Sequence, residues 1–594
     1  MGNLFASFNT GVSGLHSAQT SLNTTAHNLS NATTTGFTRQ QTMVTDAFYS
    51  TSYGAYANRL QVGMGTNVAE IRQIRNTFLD AQYRLQVGRE SFYNAQYEAV
   101  QEIEDLFGEM EGEEFLTSLT DLKSAVDELA KQPNDIVLRS ELVSVASQFA
   151  ERAQVLQSQL SEYQKNMNQE VQNQVNEINN IISQIKDYNV LIRKYEATDE
   201  NANDYRDSRN LLLDQLASYI NYEVNEEVDG TITIYAEGSF LLEGNVQYKL
   251  TTEFESETSK LLKPVWESGG DFFLRGELSY SVENNSDTGS LHGLLVARGT
   301  QMADYTDIPQ KPKEEDYINE LTGSLDEREF FNATENYKKA VENYNENLSP
   351  SIVMTVQAQF DQLIHGVATM LNDALCPNKE LELMDGTKIM ILDTDIAPIG
   401  DDEGNTMGTE LFSRRNTERY TEMTVTVLDE EGNPQPLTVY KYNEENPNDR
   451  YTLYTADQIE VNPELLKDPS KLPLNANPSE GHVDGYTMEL CENIITKWQT
   501  EFATLDPNSL TTYDFNGYYG ALVGQFATQG NVWKGIIENQ EITVHAIEGE
   551  RQNVMGVSTD EELSNLIKYQ QCYNASSRYI TVIDEMIEHL LTRM

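Results

Sequence analysis

Side chains able to do chemistry are present in this chain, but their spacing does not bring them together. Seven histidines are scattered over 594 residues, and none forms the HExxH pair that would set two imidazoles on one helix face around zinc. The stretch DTDIAPIGDDEGN, residues 393–405, begins as a calcium loop would, with Asp393 and Asp395 two apart. Ala397 then stands at the next ligand position, Pro398 where glycine is required and Gly404 where the bidentate glutamate belongs, so the pattern fails. GYYGALVGQ (517–525) lacks the lysine and the spacing of a phosphate loop and reads as helix packing. His482 beside Asp484 reads as a polar loop. Cys376, Cys491 and Cys572 are too far apart for a metal cluster or a disulfide framework and read as small buried apolar residues. In so acidic a chain, a pair of carboxylates is no signal of glycoside hydrolysis. The expectation is a protein with no catalytic residue, no cofactor and no metal.

The elements that would have to position a site point elsewhere. Hydrophobic residues make up 39% of the chain, enough for packed cores, and its length suggests about four folded units. The 94 acidic against 41 basic side chains give a net charge of -53, which repels phosphate backbones and anionic lipid, so nucleic acid is not an expected partner. No window is long and apolar enough for a membrane span, and no Lys or Arg precedes Arg39, so a cleaved secretory signal is not expected either. The protein is expected in the cytoplasm, or leaving it by a route that cleaves nothing.

The two chain ends carry the sharpest pattern. Phe8, Leu15, Leu22 and Leu29 recur every seven residues, with Val12, Ala18 and Ala26 on the same side. At the other end Leu566, Tyr573, Ile580, Ile587 and Met594 recur every seven, with Tyr569, Ile583 and Leu590 as a second set. Ser558 and Glu561 form the S-x-x-E pattern of a capping box, and Gly556 precedes them as a hinge would. Ordering each residue of such an end costs about 1–2 kcal/mol of backbone entropy. Burying one stripe returns roughly 1.5–3 kcal/mol for each of its apolar residues. The first end also contains Gly2, Gly11, Gly14, Thr20, Thr24 and Thr25, which are poor helix formers. Neither end is expected to be stable as a lone helix. The two stripes are expected to pair with each other and to order fully on assembly, when other copies or partners cover their remaining faces.

Between the ends, residues 80–222 read as long polar helices, with Val171, Ile178, Ile185 and Ile192 every seven and Val175 and Ile182 between them. Alternation and turn signals in EEVDGTITIYAEGSFLLEG (226–244) mark the start of a β-rich unit. Residues 305–348, acidic and Asn-rich with Pro309 and Pro312, read as a linker or insertion. A helix is expected over 356–375. An inserted mixed domain is expected over 377–486, with a hairpin setting Met423, Val425 and Val427 against Leu437 and Val439 across DEEGNPQP. The fold class is multidomain and mainly α, with terminal coiled-coil-like helices, a long helical bundle and inserted β-rich or mixed outer domains. The expected division is 1–40 plus 555–594 as the inner assembly domain; 41–224 plus 349–376 and 487–554 as the helical domain; 225–304 as the β-rich domain; 305–348 as the acidic linker; and 377–486 as the variable outer domain.

GVSGLHSAQTSLNTTAHNLSNATTTGFTRQQ (11–41) resembles the N-terminal signature of bacterial flagellar axial proteins, in which a helix leads into an Asn-rich turn followed by Thr, Gly, an aromatic and Arg. GVSTDEELSNLIKYQQCYNASSRYITVIDEMI (556–587) is similar to their C-terminal signature. The ending GFTRQQ, NDYRDSRNLLLDQLASYINYEVNEEVDGTITIYAEGSFLLEG (203–244) and GSLHGLLVARGT (289–300) resemble the FlgK family of hook-associated proteins in particular. The resemblance implies a structural protein with no enzymatic role, exported through the flagellar type III channel and assembled outside the cell as a ring at the junction of hook and filament. Its implied partners are further copies of itself, the hook subunit, adjacent hook-associated and filament proteins, and an export chaperone on the C-terminal helix. Phe8, Val12, Leu15, Leu22, Leu29, Leu566, Tyr569, Tyr573, Ile580, Ile583, Ile587 and Leu590 are then the assembly interface. Asn28, Asn31 and Gly36 form the turn that ends the inner helix and sends the chain outward. The other readings are a hook or rod subunit, or a flagellar surface adhesin or enzyme with its activity in 377–486.

Overall fold

The computed structural model describes residues 2–53, 59–108, 115–132, 135–198, 200–318, 325–383, 386–428, 434–476 and 486–593. The tip of the 429–436 turn, the His482 and Asp484 loop and Met594 lie outside the described residues. The fold is mainly helical and multidomain.

Helix α1 (Gly2–Ser30) opens the chain and is followed by an antiparallel ribbon of β1 (Gln40–Asp46) and β4 (Thr66–Gln73), extended by β2 (Tyr49–Tyr53) and β3 (Arg59–Gly63). Residues 41–73 had been expected to belong with the helices. The alternation there lies in polar and β-branched residues such as Thr42, Val44 and Thr45, so hydrophobic periodicity did not show it.

The body is built on α2 (Thr77–Phe107), α3 (Phe115–Lys131), the 61-residue α4 (Ile136–Glu196) and α5 (Asn203–Tyr219). Asn76 caps α2 through Phe78 and Leu79 N–H groups, and Gly108 ends it at φ 64°, the left-handed conformation that glycine adopts without strain. Val171, Val175, Ile178, Ile182, Ile185 and Ile192 are all fully buried along α4.

The Asn content of α4 has a specific use. Strands β5 (Glu223–Glu226), β6 (Ile232–Ala236), β7 (Ser239–Glu243) and β8 (Val246–Gln247) form an antiparallel sheet in that order, and β9 (Leu250–Phe254) pairs with β10 (Leu262–Trp266). Asn168, Asn179 and Asn189 recur every three turns of α4. Each uses its amide as a strand would, accepting the N–H of Leu262 (2.9 Å), Leu250 (3.0 Å) and Ile232 (3.1 Å) and donating to the carbonyls of Lys260 (3.2 Å), Leu250 (2.8 Å) and Ile232 (2.9 Å). Backbone groups of the β-rich unit that no strand pairs are thus satisfied by one helix.

Helix α6 (Ser290–Arg298) returns into the core, and α7 (Glu327–Asn347) follows where a linker was expected. Phe330, Tyr337 and Tyr344 recur every seven residues in α7. Tyr344 is buried against Ala303, Ile308, Leu348 and Met354, and the Tyr337 hydroxyl donates to the Pro507 carbonyl at 3.0 Å. Charge masked this stripe in the sequence.

Helix α8 (Ile352–Leu375) is buried on nearly every face, and beyond it the 377–486 segment divides into two parts. The sheet β11 (Asn378–Glu382), β12 (Lys388–Leu392), β15 (Pro434–Tyr442) and β14 (Tyr420–Leu428), in that spatial order, has its own small core of Ile389, Ile391, Val425 and Val439. Met423 faces Val439 and Val425 faces Leu437, while Val427 faces Gln435. The rest, with β13 (Phe412–Arg414), β16 (Ile459–Val461) and α9 (Pro463–Lys467), is continuous with the main core through Leu411, Phe412, Tyr454, Leu465 and Leu474. Asn372 of α8 is the weld. It is fully buried, accepts the Leu411 and Phe412 N–H groups at 3.0 Å each and donates to the Phe412 carbonyl at 2.7 Å. Lys379 lies between Asp393 (2.8 Å) and Asp395 (2.5 Å), so the two carboxylates that began the calcium-like pattern are paired with an ammonium group. Helices α10 (Tyr486–Trp498), α11 (Phe515–Met555) and α12 (Thr559–Arg593) complete the chain, with α11 lying along α2 and α8 and α12 along α1.

Asn372→Leu removes these hydrogen bonds while keeping side-chain volume. It leaves two N–H groups and a carbonyl buried without partners, at about 1–3 kcal/mol each. We expect faster cleavage by trypsin within 377–476 with the α11–α2 contact intact; an unchanged digestion pattern would remove Asn372 as the weld.

The terminal helix pair and its clasp

The buried face of α1, which meets both α12 and the β1–β4 ribbon, is made of small residues. Gly11, Ser17, Ala18, Ser21, Thr24, Thr25 and Asn28 are buried, whereas Phe8, Leu15, Leu22 and Leu29 are half-buried and Val12 is exposed. The glycines that weaken the isolated helix permit the close approach. A Cβ on Gly11 would lie 2.9 Å from both Ile580 Cγ1 and Tyr579 Cδ1, and one on Gly14 would lie 3.1 Å from Ser576 Oγ. Hydroxyls that would compete with the helix are returned to it, as in Ser21 Oγ to the Ser17 carbonyl (2.9 Å) and Thr24 Oγ1 to the Thr20 carbonyl (3.0 Å). The β1–β4 ribbon docks on the same helix, Ser13 Oγ accepting from Thr66 N at 3.1 Å and Ser17 Oγ meeting Thr66 Oγ1 at 3.0 Å.

On α12, Ile583 is buried and Leu566, Tyr569, Tyr573, Ile580 and Ile587 are half-buried, while Leu590 is exposed. Leu563, Ile567, Val582, Met586 and Leu591 also face solvent, with Leu591 65% exposed, while Tyr579 lies against Gly11 of α1. The single chain therefore covers only one side of this helix.

At the base of the pair is a polar clasp that joins residues more than 500 positions apart. Asn28 of α1 accepts the Gln40 N–H (3.0 Å) and donates both to the Gln40 carbonyl (2.8 Å) and to Glu562 Oε2 (3.3 Å). Glu562, 2% exposed in the first turn of α12, also accepts from Arg39 Nε at 2.8 Å, and Arg39 reaches Glu561 at 2.9 Å. The backbone of Arg39 is held on both sides, its N–H donating to the Met555 carbonyl (2.8 Å) and its carbonyl accepting from Ile74 N (2.9 Å). Ser558 Oγ accepts the Glu561 N–H at 3.4 Å, while the Glu561 carboxylate turns to Arg39. Sequence reasoning missed Arg39 and Glu562. The available signals were an arginine three residues after the turn glycine Gly36 and a carboxylate in a helix first turn, but only the fold sets them face to face.

The turn between α1 and β1 rests on the body. Asn31 Nδ2 donates to the His27 carbonyl at 3.1 Å, and Thr34 Oγ1 donates to Asn31 Oδ1 at 3.2 Å. Gly36 has φ 79° and sits against Leu211 of α5, where a Cβ would come within 3.4 Å. Asp207 of α5 accepts the Thr38 N–H (3.0 Å) and Gln73 Nε2 (2.7 Å). Burial pushes its carboxyl up to about 6, although the Thr38 bond favours the charged form. Below the clasp Arg551 of α11 lies over the Tyr83 ring at 4.2 Å and pairs with Asp80 (3.0 Å), Asp214 (2.8 Å) and Glu548 (2.9 Å), tying α11 to α2 and α5. The arrangement holds, orients and leaves apolar helix faces open; it presents no reacting group to a substrate.

Comparison with known proteins agrees with this geometry. Residues 8–38 match the family of flagella basal body rod proteins, and residues 551–593 the flagellar basal body rod FlgEFG protein C-terminal family. These segments hold the terminal helix pair, whose ends are therefore similar to those of flagellar axial proteins. Residues 100–311 match the helical domain of the flagellar hook-associated protein FlgK. Flagellar hook-associated protein 1 of Bacillus subtilis (strain 168) is 23% identical over 605 residues, covering 100% of this chain and 99% of that protein. The protein of the same name from Escherichia coli (strain K12) is 23% identical over 598 residues, covering 98% of each. Among solved structures, the flagellar hook junction protein FlgK from Burkholderia pseudomallei is 14% identical with a TM-score of 0.48, covering 80% of this chain and 100% of that one. Along its whole length the chain is thus similar to flagellar hook-associated proteins, and its 100–311 segment matches the FlgK helical-domain family.

Two measurements test the clasp. A double-mutant cycle over Arg39→Ala and Glu562→Ala is expected to give a coupling of roughly 1–3 kcal/mol in urea unfolding; independent effects would show that the pair does not hold the ends together. Burial raises the Asp207 carboxyl to about 6, so the stability its protonated form contributes is complete below the unfolded carboxyl value, about 4, and is lost as pH rises through about 6. Thermal melts of Asp207→Asn are expected to lose this decline between pH 4 and 6.

Proposed function

We propose that this chain forms the segment joining hook to filament, assembling through its terminal helices into a ring of identical subunits after export. The observation that carries the reading is the two-sided α12. One side closes on the small-residue face of α1 within the chain, and the other presents Leu563, Ile567, Val582, Met586 and Leu591 to solvent. Soluble monomers rarely leave so long a line of large apolar side chains uncovered on one helix. The Phe8, Leu15, Leu22 and Leu29 line and the exposed Val12 and Leu590 extend this surface on both helices.

The clasp ties the terminal pair to the body through Arg39, Glu562 and the Met555 carbonyl. The hook subunit below and the next hook-associated or filament protein above are the partners such a segment meets. An export chaperone covering Leu566–Leu590 fits a chain whose apolar C-terminal stripe is only partly covered by α1. Export without cleavage fits an N-terminal segment that is itself part of the assembly helix pair. The role is structural, and no step of it calls for catalysis, a cofactor or a metal. A hook or rod subunit shares the matched ends, but the match over 100–311 favours the hook-associated role.

Leu566→Asp or Ile580→Asp places a carboxylate on the half-buried stripe and is expected to abolish incorporation while far-ultraviolet circular dichroism shows the body folded. Electron microscopy of cells lacking the gene is expected to show complete hooks without filaments, with flagellin in the medium. Missing hooks would move the protein to the hook or rod class, and normal filaments would reject the junction role.

A further inference from the structure

We propose that the cavity of about 650 Å³ between α2, α5 and the β5–β6 edge is a binding site for a small oxyanion, a phosphate or a carboxylate taken from solution. Four arginines line it, Arg75, Arg84, Arg206 and Arg209, in a chain whose net charge is -53. The carboxylates on the same wall are fewer, namely Asp80, Glu223 and Glu226. Asp80 engages Arg75 (2.6 Å) and Arg551 (3.0 Å) and Glu226 engages Arg206 (2.5 Å), while from behind the lining Asp214 pairs with Arg84 (2.7 Å) and Glu196 with Arg206 (2.6 Å), so Arg209 is the guanidinium of the four that has no carboxylate partner among the described residues.

Three of the four guanidinium groups keep a buried nitrogen with no hydrogen-bond partner: Nη1 of Arg75, Nη2 of Arg84 and Nε of Arg209. Arg209 is the key group. It is 2% exposed, its Nη1 donates only to the neutral Asn189 Oδ1 (2.9 Å) and Gly230 carbonyl (2.7 Å), and no carboxylate pairs with it among the described residues. Burial pulls its pKa down to about 10, against the opposing pull of Glu226, as expected for a cation taken from water without a directly paired counter-ion. A planar guanidinium with free N–H groups matches the oxygens of a phosphate or carboxylate, and the volume is that of a small-molecule pocket. An anion there would bridge the first long helix, α5 and the β-rich unit, so occupancy would stiffen the joint directly beneath the terminal clasp.

The test uses the full-length protein, with inorganic phosphate and citrate as probes and sodium chloride matched in ionic strength as the control. Saturable binding of either probe by calorimetry, with a rise in melting temperature that chloride does not give, is expected. Arg209→Lys and Arg75→Gln are each expected to weaken binding roughly tenfold, the loss of one charge-assisted contact. Preference for phosphate over citrate, or the reverse, identifies which oxyanion the site takes. If neither probe saturates, or if both variants bind as the parent does, the cavity is not an anion site. Should Arg209→Lys fail to fold, Arg75→Gln, whose side chain is partly exposed, decides alone.

Discussion

The structure depends on a buried carboxylate meeting an arginine from the other end of the chain. Glu562 is almost fully removed from water, and such a charge is tolerated only when paired and hydrogen-bonded. Arg39 and Asn28 supply the pairing, and both sit within the turn that closes α1. The first and last helices therefore cannot be placed independently. Fixing the turn fixes the start of α12, and the direction of the terminal pair follows. The Arg39 N–H to the Met555 carbonyl carries this constraint into α11, and Arg551 carries it on to α2 and α5.

The same economy governs the body. The 61-residue α4 is a spine whose apolar stripe makes the core and whose asparagines take the place of a missing strand for the β-rich unit. A single element thus sets the positions of α5, α6 and both small sheets. The outer segment is treated differently. Half of it shares the main core and is welded by Asn372, and the other half is a sheet with four buried side chains of its own. Such a division lets the distal sheet vary without disturbing the part that closes the bundle.

Much of this was legible beforehand. The stripe of α4, the pairing of the two ends, the hairpin of 420–442 and the glycine at Gly36 all rest on local periods or backbone preferences that a sequence displays directly. Three things were not. The β1–β4 ribbon is built from polar and β-branched residues that bury one side on a helix, a weak signal by periodicity. Helix α7 hides a three-aromatic stripe under charge. Gly11 and Gly14 read as helix weakeners, because the closeness that requires them exists only when α12 is beside them.

The sequence by itself determined the class of the protein, the existence of two amphipathic ends and the absence of the motifs on which known catalytic sites are built, since each of these depends on residue type and on spacing along the chain. Tertiary structure alone decided which side of each terminal helix is used within the chain and which stays open, and that Arg39 answers Glu562. It also gathered four arginines from segments more than 120 residues apart around one cavity. The physical reason is that burial and charge pairing are properties of distances in space. A carboxylate at Glu562 is ordinary in sequence and costly in structure, and only the fold shows what neutralises it.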